Sequence, residues 1–214
     1  MFSGIIQAVV PIHAIYESTN LKTYIIILPT HLLSNLKIGC SISNNGCCLT
    51  VIAIKYNLIS FNVIHETLKL TNMGMLKVGD LINIERSLCY HSEIGGHLMT
   101  GHIDCTGKII KIIISKNNKI IWFSIKKKYF QKYILQQGSI GVDGVSLTVS
   151  KTLNNYIRIC LTPYTATKTT LGDKQIGNIV NIEVDIIIKS VINAVDNRLS
   201  IINSKKNNIF CEKL

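Results

Sequence analysis

The sequence predicts an all-β protein of two small barrels in tandem followed by a helix, and three observations carry that prediction. The first is that the chain is written twice. Gly79-Asp80-Leu81-Ile82-Asn83-Ile84-Glu85 returns as Gly177-Asn178-Ile179-Val180-Asn181-Ile182-Glu183, and Gly46-Cys47-Cys48-Leu49-Thr50-Val51 returns as Gly144-Val145-Ser146-Leu147-Thr148-Val149, both 98 positions later (177 − 79 and 144 − 46). Thr67, Thr71 and Gly74 find Thr165, Thr169 and Gly172 at the same offset, while Ser3-Gly4-Ile5 finds Thr100-Gly101-His102 at 97 (100 − 3), which places one inserted residue early in the second copy. A period near a hundred residues is too long for a solenoid unit and suits a whole small domain. The second observation is that β-branched residues alternate or run in short stretches bounded by Gly, Asn and Pro. The third is a helical spacing of apolar residues that begins after the second copy ends.

Taken in order, the first copy predicts strands over 5–15, 23–28, 48–54, 58–64 and 81–85, and the second over 103–114, 120–125, 146–153, 156–161 and 179–185. A copy of about six short strands has edges to hide and closes most economically into a barrel. Helical turns are expected at 30–36 and 127–135, where helix formers interrupt the strand pattern. Ile187, Ile188, Val191, Ile192, Val195, Leu199 and Ile202 then follow at spacings of three and four, with no counterpart in the first copy. Such a stripe must bury against its own barrel or against the same helix of other subunits; we favour the second. The division expected is a first barrel at 1–87, a second at 88–186, an oligomerisation helix at 187–203 and a flexible, Lys- and Asn-rich tail at 204–214.

Composition narrows the function. A hydrophobic share of 47 % over 214 residues is ample for an ordered core, since chains of this size bury roughly 70 % of the surface they expose when unfolded. The net charge of +11 invites thoughts of nucleic acid. The lysines, however, are scattered, and the runs Lys126-Lys127-Lys128 and Lys205-Lys206 lack the interleaved aromatics that single-strand binders use, so no nucleic-acid partner is expected. Seven cysteines without a C-x-x-C pair read as reduced thiols of a cytoplasmic protein, not as a disulfide frame or a zinc site. The apolar start lacks a basic leader and is broken by Pro11, so no signal peptide is expected, and no stretch is long and apolar enough to imply a membrane.

Polar residues that differ between matched positions point to the chemistry. Cys48 is matched by Ser146, Asn45 by Asp143, Ile5 by His102 and Gly39 by Gln137. Two pockets alike in shape and unlike in reactivity suit a reaction between two copies of one molecule. Thr50 and Thr148 lie two positions beyond Cys48 and Ser146, on the same strand face, and hydroxyls, thiols and backbone N–H groups suit the edge of a flat heterocycle. The plain alternative is that Thr and Ser are good strand formers. His91, His97 and His102 flank Glu93-Ile94-Gly95-Gly96 at spacings that match no metal-ligand pattern. His102, directly after Gly101, is the candidate for proton transfer, against the alternative of a satisfied structural histidine. Cys48 is an activated thiol or an inert buried one. Asp185 bonds substrate or caps the terminal helix. Gly95-Gly96 lacks the rest of a phosphate-loop pattern.

Several strings in order, Met1-Phe2-Ser3-Gly4-Ile5-Ile6, Asn45-Gly46-Cys47-Cys48-Leu49-Thr50-Val51, Gly95-Gly96-His97-Leu98-Met99-Thr100-Gly101-His102-Ile103-Asp104, Gly141-Val142-Asp143-Gly144-Val145-Ser146-Leu147-Thr148-Val149 and Thr169-Thr170-Leu171-Gly172, strongly resemble riboflavin synthase, from Met1 to about residue 199. The resemblance implies two six-stranded Greek-key barrels and a C-terminal helix in a homotrimer, with the active site between the N-terminal barrel of one subunit and the C-terminal barrel of its neighbour. It implies a transferase that dismutates two molecules of 6,7-dimethyl-8-ribityllumazine. A carbanion formed at a ring methyl of the donor attacks the acceptor, and the adduct fragments to riboflavin and a ribitylaminopyrimidinedione. No cofactor or metal is implied, and association with lumazine synthase is. The family pattern points to Gly4, Ile5, Ser41, Cys48, Leu49, Thr50, Asn62 and Thr67 in the first barrel, and to Gly101, His102, Ile103, Gln137, Ser146, Leu147, Thr148, Thr162 and Thr165 in the second, with Asp143 and Asp185 nearby. His102 and Ser146 are expected to handle protons, with Cys48 in the opposing pocket. The rival on the same fold is a non-catalytic lumazine- or flavin-binding protein. Departures from the family pattern are Gln137 in place of a usual Lys, Ser3 in place of Thr, and Tyr164 in place of an acidic residue or His.

Overall fold

The computed structural model describes residues 1–116, 118–126 and 128–211. The first copy forms β1 (Ala8–Ser18), β2 (Leu21–Ile27), β3 (Ser41–Asn44), β4 (Cys47–Lys55), β5 (Leu58–Ile64), the short helix α1 (His65–Leu70) and β6 (Leu81–Arg86). The second forms β7 (Cys105–Ile114), β8 (Lys119–Ile125), β9 (Ser139–Val142), β10 (Val145–Leu153), β11 (Tyr156–Leu161), α2 (Pro163–Lys168) and β12 (Ile179–Val184), and α3 (Ile186–Cys211) follows. Each set of six strands closes into a barrel, in the orders β1-β2-β5-β4-β3-β6 and β10-β11-β8-β7-β12-β9, which are the same topology. Every strand pair is antiparallel. Even the irregularities repeat: the register of β1 on β2 shifts between Ile12 and Ala14, as that of β7 on β8 does between Ile109 and Lys111. The register of β4 on β5 shifts between Val51 and Ala53, as that of β10 on β11 does between Val149 and Lys151. Such shifts sharpen local twist and let a small sheet curl onto itself.

Alternation fills the barrels. Cys47, Leu49 and Val51 point into the first and Val145, Leu147 and Val149 into the second, while the residues between them face outward. Two separate cores result, one around Ile26, Ile42, Ile59 and Phe61, the other around Ile121, Phe123, Ile140 and Ile159. The strands absent from the sequence reading are β3 and β9, four residues each, with three polar residues in the first and one in the second. Their signal is the turn that follows. Asn45-Gly46 and Asp143-Gly144 join β3 to β4 and β9 to β10 as two-residue loops with both residues at positive φ (48° and 81°; 45° and 81°), the conformation for which Asn-Gly and Asp-Gly are the preferred sequences. The expected helical turns fall on 3₁₀ segments at Thr30–Leu32 and Lys128–Tyr133; Lys127 lies outside the described residues.

The expected strands at 5–15 and 103–114 begin late, at Ala8 and Cys105, because the segments ahead of them leave their own barrels. Phe2 and Met99 bridge one another, which ties the two leaders together. Between the barrels runs a symmetric set of hydrogen bonds built from the asparagines of the repeat. Asn181 Nδ2 donates to Asn45 O at 2.8 Å and Asn83 Nδ2 to Asp143 O at 2.9 Å. Thr170 N donates to Asn83 Oδ1 at 2.8 Å and Asn72 N to Asn181 Oδ1 at 2.6 Å. The barrels are thus related by a pseudo-two-fold axis through this junction.

Helix α3 settles one face on its own barrel: Ile192 packs on the second core, Tyr133 Oη donates to Asn193, and Lys132 pairs with Asp196. Ile187, Val191, Val195 and Leu199, one turn apart in sequence, remain largely exposed. The helix continues to Cys211, through most of the segment expected as tail; residues 212–214 lie outside the described residues.

Candidate active site

The outer face of the first barrel carries Cys48 and Thr50 because β4 turns Cys47, Leu49 and Val51 inward. Ser41 stands opposite Thr50 in the β3–β4 ladder. Asn62 is outward on β5, its Oδ1 accepting from Thr23 Oγ1 at 2.8 Å. A cleft of about 490 Å³ opens on this face, lined by Cys47, Cys48, Glu66, Thr67, Leu70, Thr71, Gly101, His102 and Ile103, a size suited to a small heterocyclic ligand. The last three residues belong to the leader of the second copy. Cys48 N donates to Gly101 O at 2.9 Å, and the symmetric bond runs from Ser146 N to Gly4 O, also 2.9 Å.

The leaders are therefore exchanged. Gly101 and His102, expected in the second pocket, stand beside Cys48, and Gly4 with Ile5, expected in the first, stand beside Ser146. Two glutamates of the repeat hold them there. Glu85 at the end of β6 accepts from Ser3 N (2.7 Å), Ser3 Oγ (2.8 Å) and Gly4 N (3.0 Å). Glu183 at the end of β12 accepts from Thr100 N (2.6 Å), Thr100 Oγ1 (2.8 Å) and Gly101 N (3.1 Å). Burial pushes both carboxyls above the usual range, against the hydrogen bonds from Ser3 and Gly4 and from Thr100 and Gly101 that hold them down. A buried carboxylate so placed organises backbone, and these two aim a pair of peptide segments across the junction.

The matching face of the second barrel repeats the pattern with different chemistry. Ser146 and Thr148 face outward on β10, Ser139 pairs with Thr148, and Thr162 caps α2 by accepting from Thr165 N at 3.2 Å. Gln137 is exposed at φ 67°, where the first copy has Gly39 at 91°, and its N–H donates to Val149 O at 2.8 Å. Over Ser146 lies a residue the sequence reading left out of the site. His97 Nδ1 is 2.7 Å from Ser146 Oγ, and burial lowers its pKa from the ordinary 6.5, with Asp185 acting weakly the other way.

At five expected positions the side chain is turned inward or already engaged. Leu49 and Leu147 point into the barrel interiors, so their side chains present little surface to a ligand, and Ile103 is largely buried against the first core while still lining the cleft. Asp143 is wholly buried in the junction, accepting from Asn181 N and Asn72 Nδ2 and paired with Lys174, so it has no side-chain surface for substrate. Asp185 takes the capping alternative: its Oδ1 accepts from Ile187 N at 2.8 Å, at the start of α3. Burial pushes the Cys47 thiol up to about 12, which leaves Cys48, half-exposed in the cleft, as the accessible thiol of the pair. What the sequence reading missed, Asn83, Glu85, Asn181 and Glu183, was marked in the repeat itself as polar residues kept identical inside strand runs.

Comparison with known proteins places these features in a family. The lumazine binding domain matches twice, over residues 3–87 and 100–185. The riboflavin synthase of Escherichia coli K12 is 45 % identical over 94 % of this chain and 94 % of its own length, and that of Buchnera aphidicola from Schizaphis graminum 41 % identical over 90 % and 92 %. Among solved structures, LumP in complex with riboflavin superposes with a TM-score of 0.80 at 27 % identity, covering 86 % of this chain and 99 % of LumP. LumP in complex with 6,7-dimethyl-8-(1'-D-ribityl) lumazine gives 0.78 at 26 % over the same shares.

Proposed function

The chain belongs to the riboflavin synthase family, and from that premise we propose how its own residues carry the family's reaction. It is a transferase acting on two molecules of 6,7-dimethyl-8-ribityllumazine, from which a four-carbon unit passes from one to the other to give riboflavin and 5-amino-6-ribitylamino-pyrimidinedione. The observation that carries this reading is the pair of matching outer faces, built on one framework and furnished differently: Cys48 with His102 at the cleft of the first barrel, Ser146 with His97 on the second.

Each pocket takes one lumazine. Thr50, Ser41, Asn62 and Thr67 in the first, and Thr148, Gln137, Thr162 and Thr165 in the second, supply hydroxyl and amide groups to the carbonyls and ring nitrogens of the heterocycle. The backbone of Gly4 and Ile5, and of Gly101 and His102, lines the rings. The ring methyl is acidified by conjugation, so the protein's main task is orientation, worth up to about 7–11 kcal/mol when two reactants are held in reacting geometry. Ser146 and His102 handle protons on their respective molecules and Cys48 stands against the ring in the first pocket.

The two pockets of one chain sit on the outer faces of their barrels, so the reacting pair is completed by a second chain. We propose a homotrimer in which the first barrel of one subunit meets the second barrel of the next, a reading supported by the exposed apolar line Ile187, Val191, Val195 and Leu199 on α3. Cytoplasmic residence is supported by Cys40, Cys47, Cys48, Cys89 and Cys160 standing as thiols. Association with lumazine synthase, which would supply the substrate, completes the proposed setting.

The test is direct. Purified protein mixed with the lumazine forms riboflavin, followed by its visible absorbance, and Cys48→Ala and His102→Gln slow it. A second reading, favoured by the match to LumP, is a binding protein without turnover; lumazine bound with no riboflavin formed would establish that instead.

A further inference from the structure

The pseudo-two-fold axis relates nearly everything around the two pockets, and residues 88–98 are where it fails. This segment joins the two matched domains, the first of which ends at residue 87 and the second of which begins at residue 100. Its Gly96 and His97 fold over Ser146. His97 N donates to Ser3 O at 3.2 Å, which fixes the segment on the exchanged leader of the first copy. Gly96 lies so close that a Cβ there would stand 2.4 Å from Ser146 Cβ and 2.6 Å from its Oγ. Only a residue without a side chain lets His97 Nδ1 come to 2.7 Å from Ser146 Oγ.

The roles in this contact follow from the imidazole's state. Burial lowers its proton affinity, so near neutral pH the ring is uncharged and one nitrogen is an acceptor. In the tautomer with its proton on Nε2, which is buried without a partner among the described residues, Nδ1 is the acceptor and the Ser146 hydroxyl donates to it. Among the described residues the first pocket has nothing of this shape: the His102 side chain is solvent-exposed, its backbone N–H donates to Thr100 Oγ1 at 3.2 Å, and Cys48 takes the place of the serine.

Resting on the reading of the chain as a riboflavin synthase, we propose that the Ser146–His97 pair makes the second-barrel pocket the one in which a lumazine loses its ring-methyl proton. In that step the methyl C–H bond breaks and its electron pair passes into the conjugated ring. The proton goes to Ser146 Oγ as the hydroxyl's own proton moves to His97 Nδ1, leaving an imidazolium beside a substrate anion; return of the proton reverses the step. Ser146 is the catalytic residue, and His97 is the positioning residue that acts through it. The molecule in the first pocket is then the one attacked.

The experiment compares the full chain with His97→Asn, whose Oδ1 can accept from Ser146 but takes no proton, and with His97→Gln as a second variant should the first fold poorly. Two quantities are read: deuterium uptake from D2O into the methyl group of bound lumazine, by NMR, and kcat and KM for riboflavin formation. The expected result is a fall of about 100-fold in both exchange and kcat, with KM within about twofold of the parent. Exchange at the parental rate in a folded variant, or a raised KM with unchanged kcat, overturns the proposal and leaves His97 a packing residue. Exchange is read without turnover, so a parent that forms no riboflavin refutes the enzyme reading while this inference stands or falls separately.

Discussion

Gly46 and Gly144 meet on the pseudo-two-fold axis: a Cβ built on either would stand 2.7 Å from the other's amide nitrogen. Both lie at φ 81°. The hairpins that carry Cys48 and Ser146 therefore pack back to back, and the exposed pockets diverge from one rigid point.

Gly46→Ala and Gly144→Ala are accordingly expected to be costly for two reasons that add, about 1–2 kcal/mol for the left-handed backbone and about 1–3 kcal/mol for overpacking. Gly79→Ala shares the positive φ, at 92°, and has no atom within 4 Å, so it isolates the first cost. Urea unfolding of the three variants checks this; equal losses at Gly46 and Gly79 would mean that the axial contact is loose.

The junction also contains an asymmetry that can be rebuilt. The wholly buried Asp143 pairs with the part-buried Lys174, 3.3 Å apart, where the first copy has Asn45 and Leu76. Burial raises the Asp143 carboxyl, with Lys174 the strongest opposing influence. Removing only the cation strands a charge, so Lys174→Leu is expected to lose about 3–5 kcal/mol, whereas the double variant with Asp143→Asn restores the first copy's arrangement and recovers most of it. Chemical unfolding of the single and double variants measures the coupling, and additive losses would show that the pair does not interact.

How much of this was legible beforehand depends on what kind of contact made it. Ten of the twelve described strands, the two barrels and the terminal helix follow from local periodicity and the 98-residue repeat, while β3 and β9 are too short to show a period. The exchange of leaders does not, because Gly4 reaches Ser146 and Gly101 reaches Cys48 through backbone hydrogen bonds that carry no side-chain pattern. Asp143 and Ser146 sit three residues apart in one motif, yet one faces the junction and the other the pocket, since a tight turn lies between them. His97 fits no metal-ligand spacing, and its contact with Ser146 spans 49 residues of sequence, which no local pattern displays.

The lowered proton affinity of His97 has a consequence for stability. Below the ordinary value of 6.5 the unfolded chain binds the proton more readily than the folded one, so stability held above that pH is lost as pH falls. Glu85, Glu183 and Asp143 have raised values and act with the opposite sign, their contribution declining as pH rises through the window above the usual carboxyl range. The difference between parent and His97→Asn cancels them. That difference in unfolding free energy is expected to favour the parent more at about pH 7.5 than at about pH 5.5; a difference independent of pH would mean that the imidazole is as easily protonated folded as unfolded.

Gln137 separates the cost of a backbone shape from the worth of a side chain. It holds φ 67°, a conformation its matched residue Gly39 adopts freely, and its N–H is tied to Val149 O next to Thr148 on the outer face of β10. Gln137→Gly relieves a strain of about 1–2 kcal/mol and gives back up to about 1 kcal/mol through the freer unfolded chain, so a small gain in thermal stability is expected. Gln137→Lys keeps the strained backbone, and near the rim of the second pocket it adds a cation that steadies negative charge on a pyrimidine ring. It is therefore expected to lower KM without raising stability. Steady-state kinetics and a melting curve on the two variants check both halves, and a KM for Gln137→Lys equal to or above the parent's would place this side chain out of the substrate's reach.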